Sequence, residues 1–312
     1  MAEIKWLIDK KYYFILHAPR QSGKTTAIMA AVDQLNEDGA YYALYCSLEA
    51  LRGVTDRTET MLSLVDLIID SLQNSKVQAL RRATDCSFLA EVKNLPAFNS
   101  FPLMIFLREQ CKKLDKDLVI FFDEVDTLEG QAMLSFLPQL RDGYINRSKT
   151  PFPRSIAFVD MRNIRNYNVR IRPDSESFSS PAPFNIIKKT LTIPDFTQDQ
   201  VKALYAQHTE ATGQAFADEA IQRAWYWSEG QPWLVNALAA EVTEEILARD
   251  YGQAVTASHI DKAADNLMLG RETYIDSLLA RLQEPRISRF IGPMLALSSE
   301  FATFPRPGEN QY

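Results

Sequence analysis

Three cysteines and three histidines are all that 312 residues offer to a disulfide or a zinc ion. Cys46, Cys86 and Cys111 share no ligand spacing, and an odd, scattered set of thiols argues against a disulfide framework and for a reducing compartment. His17, His208 and His259 are equally dispersed, so no zinc site is expected. No apolar run approaches the roughly 20 residues that cross a bilayer. The N-terminus also lacks the apolar stretch of a signal peptide. The cytoplasm is the expected location, with no membrane partner. A surface that is basic all over is missing too: the formal net charge is -6, so nucleic-acid binding would need a local patch.

What is present is length for about two domains, with apolar content for a sizeable core. One stretch organises it. Phe14 to Val32 reads FILHAPRQSGKTTAIMAAV, an apolar run, a loop, and an amphipathic helix marked by Ile28, Ala31, Val32 and Leu35. This is the layout G-x-x-x-x-G-K-[ST] of a phosphate-binding P-loop, with Ala18 in the first glycine's place. Ala18, Pro19, Arg20, Gln21, Ser22, Gly23, Lys24, Thr25 and Thr26 form the expected nucleotide-binding segment, Thr26 being already ordinary helix. Backbone N–H groups at the helix N-terminus attract phosphate, Gly23 permits close approach, Lys24 faces the β and γ phosphates, and the Thr25 hydroxyl suits Mg²⁺.

Leu118 to Glu124, LVIFFDE, is the second such stretch. Five large apolar residues predict a strand buried on both faces, and two carboxylates then emerge at its C-terminal end, where open α/β sheets bind ligands. The pattern is that of a Walker B motif. Asp123 is the candidate for the Mg²⁺ shell, and Glu124 for the base that takes a proton from the attacking water.

Around these, Ala40–Ser47 predicts a second strand, residues 57–73 a core-facing helix, Phe101–Leu114 another, and Met133–Ile145 another that contains Pro138. Residues 74–100 show only weak periodicity. Strands are expected at Ser155–Val159 and Lys188–Ile193, with a Ser- and Pro-rich loop at 173–185. Residues 1–11 carry a small apolar island, Trp6, Leu7 and Ile8, expected to pack beneath the first strand. From Arg141 to Arg172 eight basic residues face two acids, a band that suits a solvated face, phosphate sensing, a subunit contact or a DNA patch. After Pro194 the strand pattern stops. Four helices are expected at 198–211, 217–228, 232–249 and 257–269, with Thr197, Asp218 and Thr256 as capping candidates and Trp225, Trp227 and Trp233 around a Gly230-Gln231-Pro232 turn.

HAPRQSGKTT, LVIFFDE, FVDMRNIRNY and SEGQPWLVNALA together resemble the AAA+-like and STAND-like ATPases of bacteria and archaea, a group related to origin-recognition ATPases. The resemblance covers most of residues 10–300. It implies an ASCE/AAA+ type P-loop NTPase parallel sheet in 1–193, an all-helical lid in 194–269, and in 270–312 a linker and the start of an incomplete winged helix. It also implies ATP and Mg²⁺ as cofactors, Pro232 of the G-x-P turn packing on the nucleotide, Arg162 as a γ-phosphate sensor and, as a weaker match, Arg141 as a finger acting on a neighbouring subunit. EPRISRFIGPMLALS at 284–298 looks like the opening helix of that winged helix, for which the remaining residues are too few, so the third domain is expected to be truncated or vestigial. The implied function is an ATPase acting as a nucleotide-dependent conformational switch, with ATP or ADP, a possible homo-oligomer and a possible protein effector as partners. The alternatives are a non-hydrolysing nucleotide-dependent interaction module and a transposition or replication ATPase acting on DNA.

Overall fold

The computed structural model describes residues 1–17, 22–54, 56–96, 98–159 and 185–270. The chain divides into two compact units, Met1–Pro194 and Asp195–Tyr312. In the first, strands β1 (Tyr13–His17), β2 (Tyr42–Ser47), β3 (Leu118–Asp123), β4 (Ser155–Val159) and β5 (Ile187–Thr192) form one parallel sheet in the order β2-β3-β4-β1-β5. β3 and β4 are buried along their whole length, as a strand covered on both faces requires.

Side chains alternate between the faces. Phe14, Leu16, Val119, Phe121, Ala157 and Val159 pack with helices α1 (Ala2–Asp9) and α2 (Lys24–Asp38). Tyr13, Ile15, Ile120, Phe122, Ile156 and Phe158 pack on the other side with α3 (Arg57–Gln73), α6 (Pro102–Lys113) and α7 (Gly130–Asn146). Phe122, Phe136 and Phe158 pack there as an aromatic trio, with ring centroids 5.7 to 6.5 Å apart. Cys46 lies in the same layer, and burial pushes its thiol up to about 12, which makes it a packing residue and not a nucleophile.

Local chemistry sets the element ends. Asp56 caps α3 by accepting the Glu59 N–H at 2.8 Å. Most of residues 1–11 is the helix α1, with Leu7 and Ile8 buried and Trp6 half exposed. The weakly periodic 74–100 region contains two short helices, α4 (Gln78–Arg82) and α5 (Cys86–Lys93), the latter capped by Asp85. α7 starts three residues before the expected point and keeps Pro138 inside.

The second unit packs α8 (Gln198–Thr212), α9 (Asp218–Ser228), α10 (Pro232–Ala240) and α11 (Ala257–Leu269) around Val201, Tyr205, Ala224, Val235, Leu238 and Ile260. Thr197 and Gln200 form a reciprocal capping box at the start of α8, and Thr256 does the same with His259 for α11. Ala217, not Asp218, is the N-cap of α9; Asp218 sits in the first turn. The helix expected to run from 232 to 249 changes character, because α10 passes at Glu241 into a π-helical turn, Glu241–Ile246, followed by Ala248 and Arg249 with positive φ. The winged-helix opening expected at 284–298 lies outside the described residues. Among the described residues no helix is long and apolar enough to cross a membrane.

The Gly-Gln-Pro turn has a local cause at each position. Gly230 holds φ at 85°, its carbonyl accepts the Phe196 N–H at 2.9 Å, and a Cβ there would lie 2.0 Å from the Phe196 carbonyl oxygen. Gln231 is the N-cap of α10 and accepts the Leu234 N–H, while Pro232 takes the first helical position, where a missing N–H costs nothing. Gly230→Ala is therefore expected to destabilise the second unit by at least about 1–3 kcal/mol from backbone strain alone. Chemical denaturation followed through the tryptophans measures it, and an unchanged midpoint would remove this reading of the turn.

Candidate nucleotide site

The loop after β1 is described from Ser22 onward; Ala18, Pro19, Arg20 and Gln21 lie outside the described residues. Gly23 adopts a left-handed conformation, φ 70° and ψ 16°, and serves as N-cap of α2 without a side chain to cap it. The first turn of α2 carries no acidic residue, so the positive end of the helix dipole is left for an incoming anion. Ser22 is buried, and its Oγ has no hydrogen-bond partner among the described residues. An orphaned hydroxyl beside an uncapped helix N-terminus fits a phosphate oxygen.

Lys24 opens α2 and turns toward β3. Its Nζ lies 3.3 Å from Asp123 Oδ1 and 3.3 Å from Glu124 Oε1. Asp123 is 1% exposed, which an ionised carboxylate tolerates only with strong donors around it. It has them: the Glu124 N–H donates to Oδ1 at 2.9 Å, and Oδ2 accepts from Thr25 Oγ1 at 3.3 Å and Tyr45 OH at 3.0 Å. Burial, followed by the charge of Asp123, pushes the Tyr45 phenol up to about 12, so it stays a donor at neutral pH.

Glu124 has a different environment. Its backbone is left-handed, φ 54° and ψ 40°, a strained state for a non-glycine residue and one that turns its side chain out of the line of the strand. The side chain is 37% exposed. Arg52 comes within 3.9 Å of Glu124 Oε2 while held by Glu49 through bonds of 2.9 and 2.8 Å. Thr127 fixes this turn to the end of β2 by donating to the carbonyls of Leu48 and Glu124. Two carboxylates side by side thus differ, Asp123 buried and immobilised, Glu124 open to solvent.

No group of three His, Cys, Asp or Glu side chains that could cage a metal is found among the described residues. The donors present, the Thr25 hydroxyl and the Asp123 carboxylate, are hard oxygens, and Mg²⁺ bound by one or two protein oxygens plus phosphate and water suits that set.

Of the residues singled out in the sequence, Lys24, Thr25, Asp123 and Glu124 come together, and Thr26 is exposed in the first turn of α2. Arg162 lies outside the described residues. Arg141 is half-buried on α7, with a buried Nε that has no hydrogen-bond partner among the described residues. Pro232 is buried at the first turn of α10. The basic band loses part of its functional reading: Arg154 bonds to the carbonyls of Ile8 and Asp9 and to Asp117, and Arg147 stacks on Tyr144, so both are structural. Tyr45 and Arg52 were not legible as site residues. A hydroxyl-bearing side chain near the C-terminal end of a strand, two residues before Ser47, was the available signal for Tyr45.

No family model matches the chain, and no curated protein matches it. Solved structures do. The Walker-type ATPase PABY2304 of Pyrococcus abyssi is 17% identical, with a TM-score of 0.54, over 91% of this chain and 75% of its own. The Thermotoga maritima RuvB Holliday junction branch migration motor is 12% identical with a TM-score of 0.45, over 84% of this chain, which spans 65% of that motor's length. A chain of the Escherichia coli MS115-1 HORMA:CdnC:Trip13 complex is 13% identical with a TM-score of 0.49, over 85% and 77%. The Pyrococcus likeness shows the fold alone: a five-stranded parallel sheet with helices on both faces, as in that Walker-type ATPase, followed by a helical C-terminal region.

Proposed function

We propose that this chain binds ATP with Mg²⁺ and hydrolyses it, using the nucleotide's state as a conformational switch. One observation supports this most: the Lys24 ammonium stands 3.3 Å from a buried and from a solvent-accessible carboxylate, at the C-terminal ends of parallel strands and beside an uncapped helix N-terminus. ATP supplies the phosphoryl group and Mg²⁺ draws charge from it. The chain's own residues divide the remaining work. Lys24 offsets phosphate charge, Ser22 and the first-turn N–H groups of α2 donate to phosphate oxygens, Thr25 and Asp123 hold the metal, and Glu124 takes the proton of the attacking water. Glu124 favours hydrolysis over mere retention, since a nucleotide holder has no need of an accessible base. Arg162 as phosphate sensor, Pro232 as a nucleotide contact and Arg141 as a finger given to a second copy complete the proposal, with a protein effector as its output.

Lys24→Ala is expected to abolish binding of a fluorescent ATP analogue; parent-like affinity in the variant would show that the phosphates are held elsewhere. Glu124→Gln should keep binding and slow turnover by about a hundred- to ten-thousandfold, leaving ATP on the protein when bound nucleotide is separated by chromatography. Unchanged turnover assigns the base to another residue.

The switch makes a separate demand, because only a difference in contacts between two states lets a ligand shift their balance. With Trp6 replaced by Phe, the remaining tryptophans, Trp225, Trp227 and Trp233, all lie in the second unit. A slowly hydrolysed ATP analogue should change their fluorescence in a way that ADP does not, and Arg162→Ala should erase the difference. Equal responses to both nucleotides would leave a static site.

A further inference from the structure

Among the described residues Asp123 accepts three hydrogen bonds and pairs with one ammonium, which together match the four lone-pair positions of a carboxylate. Oδ1 takes the Glu124 N–H at 2.9 Å and faces Lys24 Nζ at 3.3 Å; Oδ2 takes Thr25 Oγ1 at 3.3 Å and Tyr45 OH at 3.0 Å. The four are not equivalent. The proposed function assigns Lys24 to phosphate and the Thr25 oxygen to metal, so Lys24 leaves Asp123 when the site is used, while the Thr25 O–H keeps only a long contact with Oδ2, 3.3 Å. The Glu124 N–H and the Tyr45 phenol remain, one for each oxygen.

We infer that Tyr45 is a positioning residue for the divalent cation, acting through Asp123. This rests on the nucleotide reading above and extends it to a residue outside both sequence motifs. Its placement follows from the sheet: in the β2–β3 register Tyr45 lies opposite Phe121 and Ser47 opposite Asp123, so Tyr45 points to the same face as Asp123 from one pleat back. The ring is half-buried against the α2-side core, which fixes the direction of the hydroxyl. With Tyr45 in place, each oxygen of Asp123 keeps a donor that neither phosphate nor metal claims, and the plane of the carboxylate is held. Without the hydroxyl, Oδ2 keeps only the long Thr25 contact, and the plane of the carboxylate is held less firmly. Partners that orient a metal's carboxylate typically contribute about ten- to a hundredfold to metal affinity.

The test is Tyr45→Phe, which keeps the ring and its packing and removes only the hydroxyl. Tyr42→Phe is the control, since it removes from the same strand a hydroxyl bonded to Asp115. Mn²⁺ is titrated into each protein saturated with ATP, with free metal read by electron paramagnetic resonance, and ATP affinity is measured separately in EDTA. The expected result is metal affinity weakened about tenfold in Tyr45→Phe alone, with ATP affinity in EDTA and melting temperature as in the parent. Metal affinity equal to the parent's, or an equal loss of ATP affinity in EDTA, overturns the inference and leaves the proposed function standing. A parent that binds neither ATP nor Mn²⁺ overturns the proposed function itself.

Discussion

The buried charge of Asp123 is the constraint on which the first unit depends. A carboxylate with 1% exposure requires partners delivered by the fold, and here they come from three elements: Lys24 and Thr25 from α2, Tyr45 from β2, and the backbone of Glu124 just beyond β3. Removing one partner strands a charge in the core, whereas the full set locks the start of α2 against the ends of two strands. The strand order makes this possible by placing β3 and β1 on either side of β4, so that α2, which follows β1, packs on the face where Phe121 and Asp123 point. Chemistry and packing are therefore one arrangement at this end of the sheet. The residues that fill the core between α2 and β3 are also those that set the distance from Lys24 to its carboxylates.

The second unit is built on its own terms. Gly230 is required by the approach of the Phe196 carbonyl, Gln231 by the uncapped start of α10, and Pro232 by its place in the first helical turn. Tyr205 closes the same packing from α8 by donating to the Val235 carbonyl at 2.8 Å in the core. A motif that reads in the sequence as a nucleotide contact thus has a complete structural explanation within its own unit, and any contact with nucleotide is a further role added to it.

Long, strongly patterned elements were legible in the sequence. Residues 57–73 show helical periodicity and are α3 from end to end; LVIFFD could only be a doubly covered strand and is β3; SIAFV is β4. That Lys24, Thr25, Asp123 and Glu124 meet was legible because the motifs they sit in fix their neighbours in the chain. The short helices α4 and α5 were not, since five and eight residues give too few turns for a period to show. The π-helical turn at Glu241–Ile246 was missed because its residues are ordinary helix formers, and tertiary packing, not propensity, inserts the extra residue. Tyr45 and Arg52 were missed for a different reason. They reach the site through strand register and a turn, and nothing in their local sequence records which distant carboxylate they will meet.

The central claim is that the start of α2 and the end of β3 together hold a metal–nucleotide complex. A crystal structure of the chain grown with Mg²⁺ and a slowly hydrolysed ATP analogue tests it most directly. The account predicts the phosphates at the N-terminus of α2 with Lys24 turned onto them, the metal beside Thr25 and Asp123, and Glu124 facing the terminal phosphate. Phosphates bound elsewhere, or Lys24 still paired with Asp123 and Glu124 in crystals that hold the nucleotide, would contradict it.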